Sequence, residues 1–394
     1  MQWQKRQGRR TTDEPPADQS MTTASVSSSA VPRRRLKVLE FFSGIGGMRV
    51  ALKEAIRGSD MAIESCQAYD ISLYANQTYA HNFSSSSDDH KPITKLVEQL
   101  KSVPAADLWT MSPPCQPFTS KGNRKDSEDK RCNGLKGLIK LLNADGGGLE
   151  EEQKPTYMLL ENVAPFATSD MCILWKNCLK QNGYSYKEYL LSPMDVGIPN
   201  HRLRYYMLVE KGTNRWGNPR EAHQHEEEIC KIPPRFDPLK EQEQKGRTLS
   251  YYLRDSIQFK QQWPELYENL LVPMEVLEQP WATQLGVVSQ HDTHSHCFTA
   301  GYGRLYHAAS GSLLLEDYET SLSENPIDRS DMEAYHGKLR RLAPSELLHL
   351  FGFPSTYEFP PTLTSLEQQY KLIGNSINVT VVSMLLKQLL LADA

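Results

Sequence analysis

The chain has 394 residues, room for one large or two modest domains, and a globular composition with 39% hydrophobic and 23% charged residues. A formal net charge of −4 supplies no global basic field, so any nucleic-acid binding must come from a local patch. The seven cysteines, at 66, 115, 132, 172, 178, 230 and 297, are irregularly spaced with no CxxC, which argues against a disulfide framework or zinc finger and for a reducing, intracellular setting. No apolar run of membrane-span length and no secretory signal are visible, so a cytoplasmic or nuclear location is expected.

Residues 1–35 are rich in Ser, Thr, Pro and Arg and poor in large apolar side chains, and are expected to form a disordered tail. Arg33-Arg34-Arg35 reads as a solvated basic run, with a nuclear address or an RNA-contacting arm as the alternative. At Leu36 the pattern changes. Leu36–Phe42 is a predicted strand, Ser43-Gly44-Ile45-Gly46-Gly47 a tight glycine turn, and Met48–Ile56 a helix. Strand, glycine turn and helix form the entry to a nucleotide-binding α/β unit, because glycines let the backbone approach a ligand and a helix start offers free N–H groups. A second strand, Ala62–Tyr69, ends in Asp70, where such folds hold ribose hydroxyls; a helix cap is the competing role. Ile93-Thr94 falls in a third connection, and the apolar run after Asp107 is taken as the fourth strand.

That run, Leu108-Trp109-Thr110-Met111, leads into Ser112-Pro113-Pro114-Cys115-Gln116-Pro117-Phe118-Thr119. The two prolines remove backbone donors and force an extended path, which holds the thiol on a stiff exit loop. Lys121–Arg131 carries five basic and three acidic residues and reads as a loop able to contact phosphates. A helix is predicted over Leu135–Leu142, and Asn143–Lys154 is a surface connection. The strand Tyr157–Leu160 ends in Glu161-Asn162-Val163, which puts a carboxylate at the same sheet edge as Cys115. A helix around Leu174–Leu179, a strand Tyr184–Leu191 and a loop Pro193–Asn200 follow. Arg202 and Arg204 then open a strand Tyr205–Val209, and their alternate spacing predicts one shared side. From Gly212 the pattern degrades into a smaller variable region. His291–Cys297 is read there as polar strand positions entering a turn rather than a metal cluster. Regularity returns with Leu342–Leu350 and with a C-terminal helix Ile377–Leu391, preceded by Gly374-Asn375-Ser376 as turn and N-cap.

Taken in order, Phe42-Ser43-Gly44-Ile45-Gly46-Gly47, Asp70, Pro113-Pro114-Cys115-Gln116, Glu161-Asn162-Val163, Arg202-x-Arg204 and Gly374-Asn375-Ser376 resemble the motif set of cytosine-5 methyltransferases. Cys297-Phe298-Thr299 with Gly301-Tyr302-Gly303, Ile198–Tyr205 and Leu372–Val379 make the chain similar to the eukaryotic tRNA cytosine-5 methyltransferases that resemble DNA methyltransferases. The resemblance implies an α/β fold, a Rossmann-like S-adenosylmethionine-dependent methyltransferase sheet with a smaller target-recognition domain. The expected division is a catalytic domain at 36–211 and 336–394 around a target-recognition domain at 212–335. It implies methyl transfer to carbon 5 of a cytosine in tRNA, cytosine 38 of aspartate tRNA, by a monomer with no membrane partner, DNA being the alternative substrate. Cys115 is implied as the nucleophile, its thiol acidified by Arg204 or a helix start, with Glu161 on the ring nitrogen and amine and Arg202 and Arg204 on the carbonyl side of the base. For S-adenosyl-L-methionine it implies Ile45, Gly46 and Gly47 at the methionine part, Asp70 at the ribose, and Ile71 and Thr94 on the adenine side. Ser112, Asn375 and Ser376 close the pocket, and Phe42, Ser43 and Ile93 complete the set. Two departures stand out: Arg131-Cys132-Asn133-Gly134 where the family often has Arg-Thr-Asn-Ser, and Ala308-Ala309-Ser310 where it tends to carry Glu-Gly-Thr.

Overall fold

A computed structural model describes residues 34–84, 92–115, 129–143, 148–212, 215, 229–231 and 246–391. The tail up to 33, most of the Lys121–Arg131 loop and much of the stretch between 212 and 246 lie outside the described residues. The main sheet has the order β2-β1-β3-β4-β6-β5, with β1 (Arg34–Phe41), β2 (Met61–Tyr69), β3 (Leu108–Met111), β4 (Tyr157–Val163), β5 (Tyr184–Leu191) and β6 (Arg204–Lys211). Strands β1 to β4 run parallel, and β6 is antiparallel to both neighbours. This is the α/β architecture expected from the motifs.

Helices α1 (Gly47–Ala55), α2 (Leu73–Phe83), α3 (Asn133–Leu142) and α4 (Asp170–Gln181) flank the sheet. Because β4 is covered on both faces, Met158, Leu159 and Leu160 are all fully buried, as an apolar run in a parallel sheet should be. The alternation along β1 divides the core. Leu36 and Val38 join α1 and the C-terminal helix on one face, while Leu39 and Phe41 join α3 and α4 on the other. The C-terminal stretch Leu366–Leu391 is long and apolar enough to pass for a membrane span. Its most apolar part is mostly buried and the stretch breaks into two helices, Leu366–Gly374 and Val379–Leu391, which is the pattern of a core element.

Four expectations are corrected. Arg34 and Arg35 belong to β1 rather than to the tail, and Arg34 donates to the Tyr157 hydroxyl at 2.9 Å. Leu108–Met111 is the third strand in the chain, because Ile93 makes only a single bridge to Tyr69. The cap of the C-terminal helix is Asn378, whose side chain accepts the Val381 N–H at 3.1 Å, rather than Ser376. The His291–Cys297 run is coil after β7 (Val287–Ser289), and no metal-binding group occurs among the described residues.

Strand β7 pairs in parallel with β8 (Leu313–Leu315), and β8 pairs antiparallel with β9 (Leu339–Arg341). This small sheet has its own apolar cluster, drawn from Val272 to Leu339. The helices Ser256–Gln262 and Pro264–Leu270 instead contribute Phe259, Tyr267 and Leu270 to the main core. Buried Arg340 ties the lobes. It donates to Glu316 at 2.7 Å and to both oxygens of Glu346, at the start of the helix Pro344–Leu350, at 2.8 and 2.9 Å.

Candidate active site

The register Phe41↔Met111↔Leu160 aligns three parallel strands, so the residues that follow them emerge along one edge. They surround a cavity of about 540 Å³, a size ordinary for a cofactor and a reacting group together. Phe42 leaves β1 with φ of 56°, a left-handed conformation that is strained for a bulky residue. Its ring packs on α3, where a Cβ at Gly134 would come within 2.7 Å of it. Gly44 and Gly46 also take positive φ, and Gly46 caps α1.

The turn is bound from several sides. Asp70 Oδ2 accepts the Gly44 N–H at 2.8 Å and Oδ1 accepts the Ser72 N–H at 2.7 Å. Burial nevertheless raises the Asp70 pKa, although these backbone bonds pull it down. Each oxygen keeps a lone pair for a hydroxyl donor, so a shaping role in the turn and the expected ribose role are compatible. The cap of α2 is Ser72, accepting from the Ala75 N–H, and not Asp70. Ser43 Oγ is buried with no partner, on the wall of the cavity.

Ser112 and Cys115 continue β3. The Ser112 hydroxyl donates to Glu161 Oε2 at 2.5 Å, and Arg204 Nε lies 3.5 Å from Glu161 Oε1. Glu161 is thus gripped on both oxygens. The Asn162 amide donates to the Pro113 carbonyl at 3.3 Å, which anchors the proline exit loop to β4. Cys115, Glu161, Arg202 and Arg204 all line the cavity.

The expectation of an acidified Cys115 is corrected. Burial pushes its thiol above the ordinary 9.0, and the Glu161 carboxylate pushes the same way; Arg204 and Arg202 oppose them but do not win. Arg204 opens β6 and Arg202 just precedes it, and both line the cavity, as their alternate spacing predicts. Arg202 is buried, and its guanidinium donates to the carbonyls of Phe298 (2.9 Å), Gly374 (3.1 Å) and Ser376 (2.5 Å) over the Phe351 ring. It is committed to holding the cavity wall, and Arg204 is the cation left beside Glu161. The sulfur of Cys297 accepts weakly from both, at 3.7 and 3.9 Å.

Of the expected cofactor residues, Phe42, Ser43, Ile45, Gly47, Asp70, Ile71, Ser112, Asn375 and Ser376 line the cavity. Gly46, Ile93 and Thr94 do not. Gly46 faces backward, where a Cβ would meet the rings of Phe83 and Tyr79. Thr94 accepts from the Asn76 amide at 2.8 Å. Lys95, Leu96 and Val97 form that wall instead, with Lys130 and Arg131 nearby. The apolar pair Leu96-Val97 was the one available signal for them in the sequence.

Residues 36–391 match the C-5 cytosine-specific DNA methylase family. A tRNA (cytosine(38)-C(5))-methyltransferase of Spodoptera frugiperda is 33% identical, over 89% of this chain and 98% of that protein. A DNA (cytosine-5)-methyltransferase of Dictyostelium discoideum is 32% identical, over 90% and 94%. The solved structure of S. pombe Dnmt2 methyltransferase covers 90% of this chain and 98% of its own, with a TM-score of 0.65 and 31% identity.

Proposed function

This chain belongs to the C-5 cytosine-specific DNA methylase family, and we propose that the substrate it methylates is tRNA, at carbon 5 of cytosine 38 in the anticodon loop of aspartate tRNA, with S-adenosylmethionine as donor. The observation that carries this reading is the convergence of Cys115, Glu161 and Arg204 on one cavity beside a glycine turn, in a chain aligned with 98% of a tRNA (cytosine(38)-C(5))-methyltransferase. Such a substrate is met in the cytoplasm and the nucleus.

The wall residues suit the donor. The open space at Gly44 and the unpartnered Ser43 hydroxyl suit its amino-acid end, the spare lone pairs of Asp70 its ribose, and Ile71, Leu96 and Val97 its adenine. When bound, S-adenosylmethionine supplies a methyl group on a cationic sulfur, an electrophile for carbon 5.

The chain's own residues make carbon 5 able to accept it. As the Cys115 sulfur bonds to carbon 6, its S–H bond breaks and the proton passes by way of Glu161 to nitrogen 3, while the carbon 5–carbon 6 electron pair moves onto the ring, toward carbon 5 and nitrogen 3. Glu161, fixed by Ser112 and Arg204, accepts from the exocyclic amine and holds nitrogen 3 through the relayed proton, which neutralises the negative charge gathering there. Arg204 faces the carbonyl side. Loss of the carbon 5 proton then returns its electron pair to the ring as the sulfur–carbon 6 bond breaks. Extruding a base costs about a few kcal/mol from a duplex and less from a loop, which favours an anticodon-loop target.

A DNA cytosine is the second reading, favoured by the Dictyostelium discoideum relative. Tritium transfer from labelled donor, measured in parallel on tRNA and duplex DNA, separates them. We expect incorporation into tRNA, abolished by Cys115→Ala. Incorporation into DNA alone would overturn the tRNA reading, and a Cys115→Ala protein that still transfers would overturn the nucleophile.

A further inference from the structure

Behind the glycine turn, on the side away from the cavity, lies a buried polar cluster that the chemistry above does not use. Glu40 sits on β1 two residues before Phe42, and is buried on the face shared with α1 and α2. Its Oε2 accepts from the Tyr79 hydroxyl at 3.0 Å. The same hydroxyl receives Arg49 Nη1 at 3.3 Å and lies 3.7 Å from Cys66 Sγ. Glu40 Oε1 and Arg49 Nε are buried without partners. A buried carboxylate left half-satisfied is costly, so a sequence that keeps one has a use for it.

The cluster touches the turn directly. The Tyr79 ring packs against the back of Gly46, where a Cβ would fall 2.9 Å from Cδ2, and the Tyr357 hydroxyl donates to the Ile45 carbonyl. Arg49 lies on α1, whose first residue Gly47 lines the cavity.

We propose that Glu40 is a positioning residue for donor binding: through Tyr79 it braces α2 and β1 behind the glycine turn, and in its ionised form, drawn toward Arg49, it sets α1 at the spacing the donor requires. This rests on the donor assignment made above.

The groups facing Glu40 are Arg49 on α1, Tyr79 on α2, Asp70 and Cys66 on β2, and Tyr357 from the C-terminal segment; Lys53 of α1 bears on Arg49 and Cys66. Burial pushes the Glu40 carboxyl up to about 7, against the Tyr79 bond and the Arg49 charge. Its ionised fraction therefore rises through neutrality, and donor affinity should rise with it. Stability moves the other way. The folded pKa lies above the ordinary 4.5, so the folded chain holds a proton that the unfolded chain gives up between those values. Stability falls as pH rises through that window, and a Gln at this position removes the fall.

The test is calorimetric titration of the full chain with S-adenosylhomocysteine across about pH 6 to 8, with thermal midpoints of the free proteins measured alongside. Wild type should bind about tenfold more tightly at the upper end. Glu40→Gln should bind at the weak level throughout and lose the pH dependence, and its midpoint should gain on wild type as pH rises. Tyr79→Phe keeps the ring beneath Gly46 and removes the link, so it should bind as weakly as Glu40→Gln at the upper end; it decides the matter if Glu40→Gln does not fold. Wild-type affinity and pH dependence retained in Tyr79→Phe or in a folded Glu40→Gln would overturn the proposal. Absence of binding to wild type at every pH would overturn the donor assignment, and this proposal with it.

Discussion

Cys115 leaves β3 between prolines, and burial together with the Glu161 carboxylate keeps its thiol protonated at neutral pH before any substrate arrives. Only a thiolate is alkylated at a useful rate, so a pKa raised above 9.0 means a smaller reactive fraction at neutrality. Cys115 in the free protein should therefore react with iodoacetamide more slowly than a model thiol near neutral pH, its rate still climbing where the model thiol has levelled off. Removing the Arg204 charge, which lowers this pKa, should slow it further. Peptide-resolved alkylation against pH reads both; a Cys115 faster than the model thiol at neutrality would contradict the electrostatics described. The meeting of Cys115 and Glu161 at one cavity was legible because proline-framed Cys115 and strand-terminal Glu161 are local signals. The thiol's acidity was not, because it is set by burial and by a neighbouring carboxylate, which depend on how four strands converge.

At the scale of elements, the glycine turn is shaped by what stands behind and beside it. Gly134 opens the second residue of α3 and leaves room for the Phe42 ring; a Cβ there would lie 2.7 and 2.8 Å from two ring carbons. Gly134→Ala must displace a side chain whose backbone already sits at φ of 56°. We expect a loss of about 1–3 kcal/mol in urea denaturation, with weaker donor binding because Phe42 is part of the cavity wall. Unchanged stability and affinity would mean that Phe42 moves aside without consequence. Strands β1, β2, β4 and β5 were legible within one or two residues at their starts because their apolar runs are continuous. The wall formed by Lys95, Leu96 and Val97 was not, since that segment meets the sheet through the single Ile93 bridge and carries no periodic pattern. Gly46 lies outside the cavity lining and packs against Phe83 and Tyr79, because a glycine serves close packing from behind as readily as a ligand in front.

Across the whole molecule, distant segments are gathered by buried arginines. Arg202 joins the catalytic sheet to the Phe298 carbonyl and to the 374–376 turn, and Arg340 joins the small sheet to the helix Pro344–Leu350. The order of motifs along the chain made the α/β class and the position of the site readable. The role of Arg202 as a clamp was not readable, because its carbonyl partners lie about a hundred or more residues further along the chain. Arg202 holds the Gly374–Ser376 turn, which packs against Thr299 and Ala300, at the cavity that Cys115, Glu161 and Arg204 enter from three strands. The proposed chemistry turns on covalent attack by Cys115 on a cytosine in RNA. The most direct measurement is trapping with aspartate tRNA carrying 5-fluorocytosine at position 38, in the presence of donor, because fluorine at carbon 5 cannot leave as a proton does. The expected result is a complex that survives denaturation, maps to the peptide containing Cys115 and disappears in Cys115→Ala; a linkage through another residue, or unmodified tRNA methylated by Cys115→Ala, would rule out this chemistry.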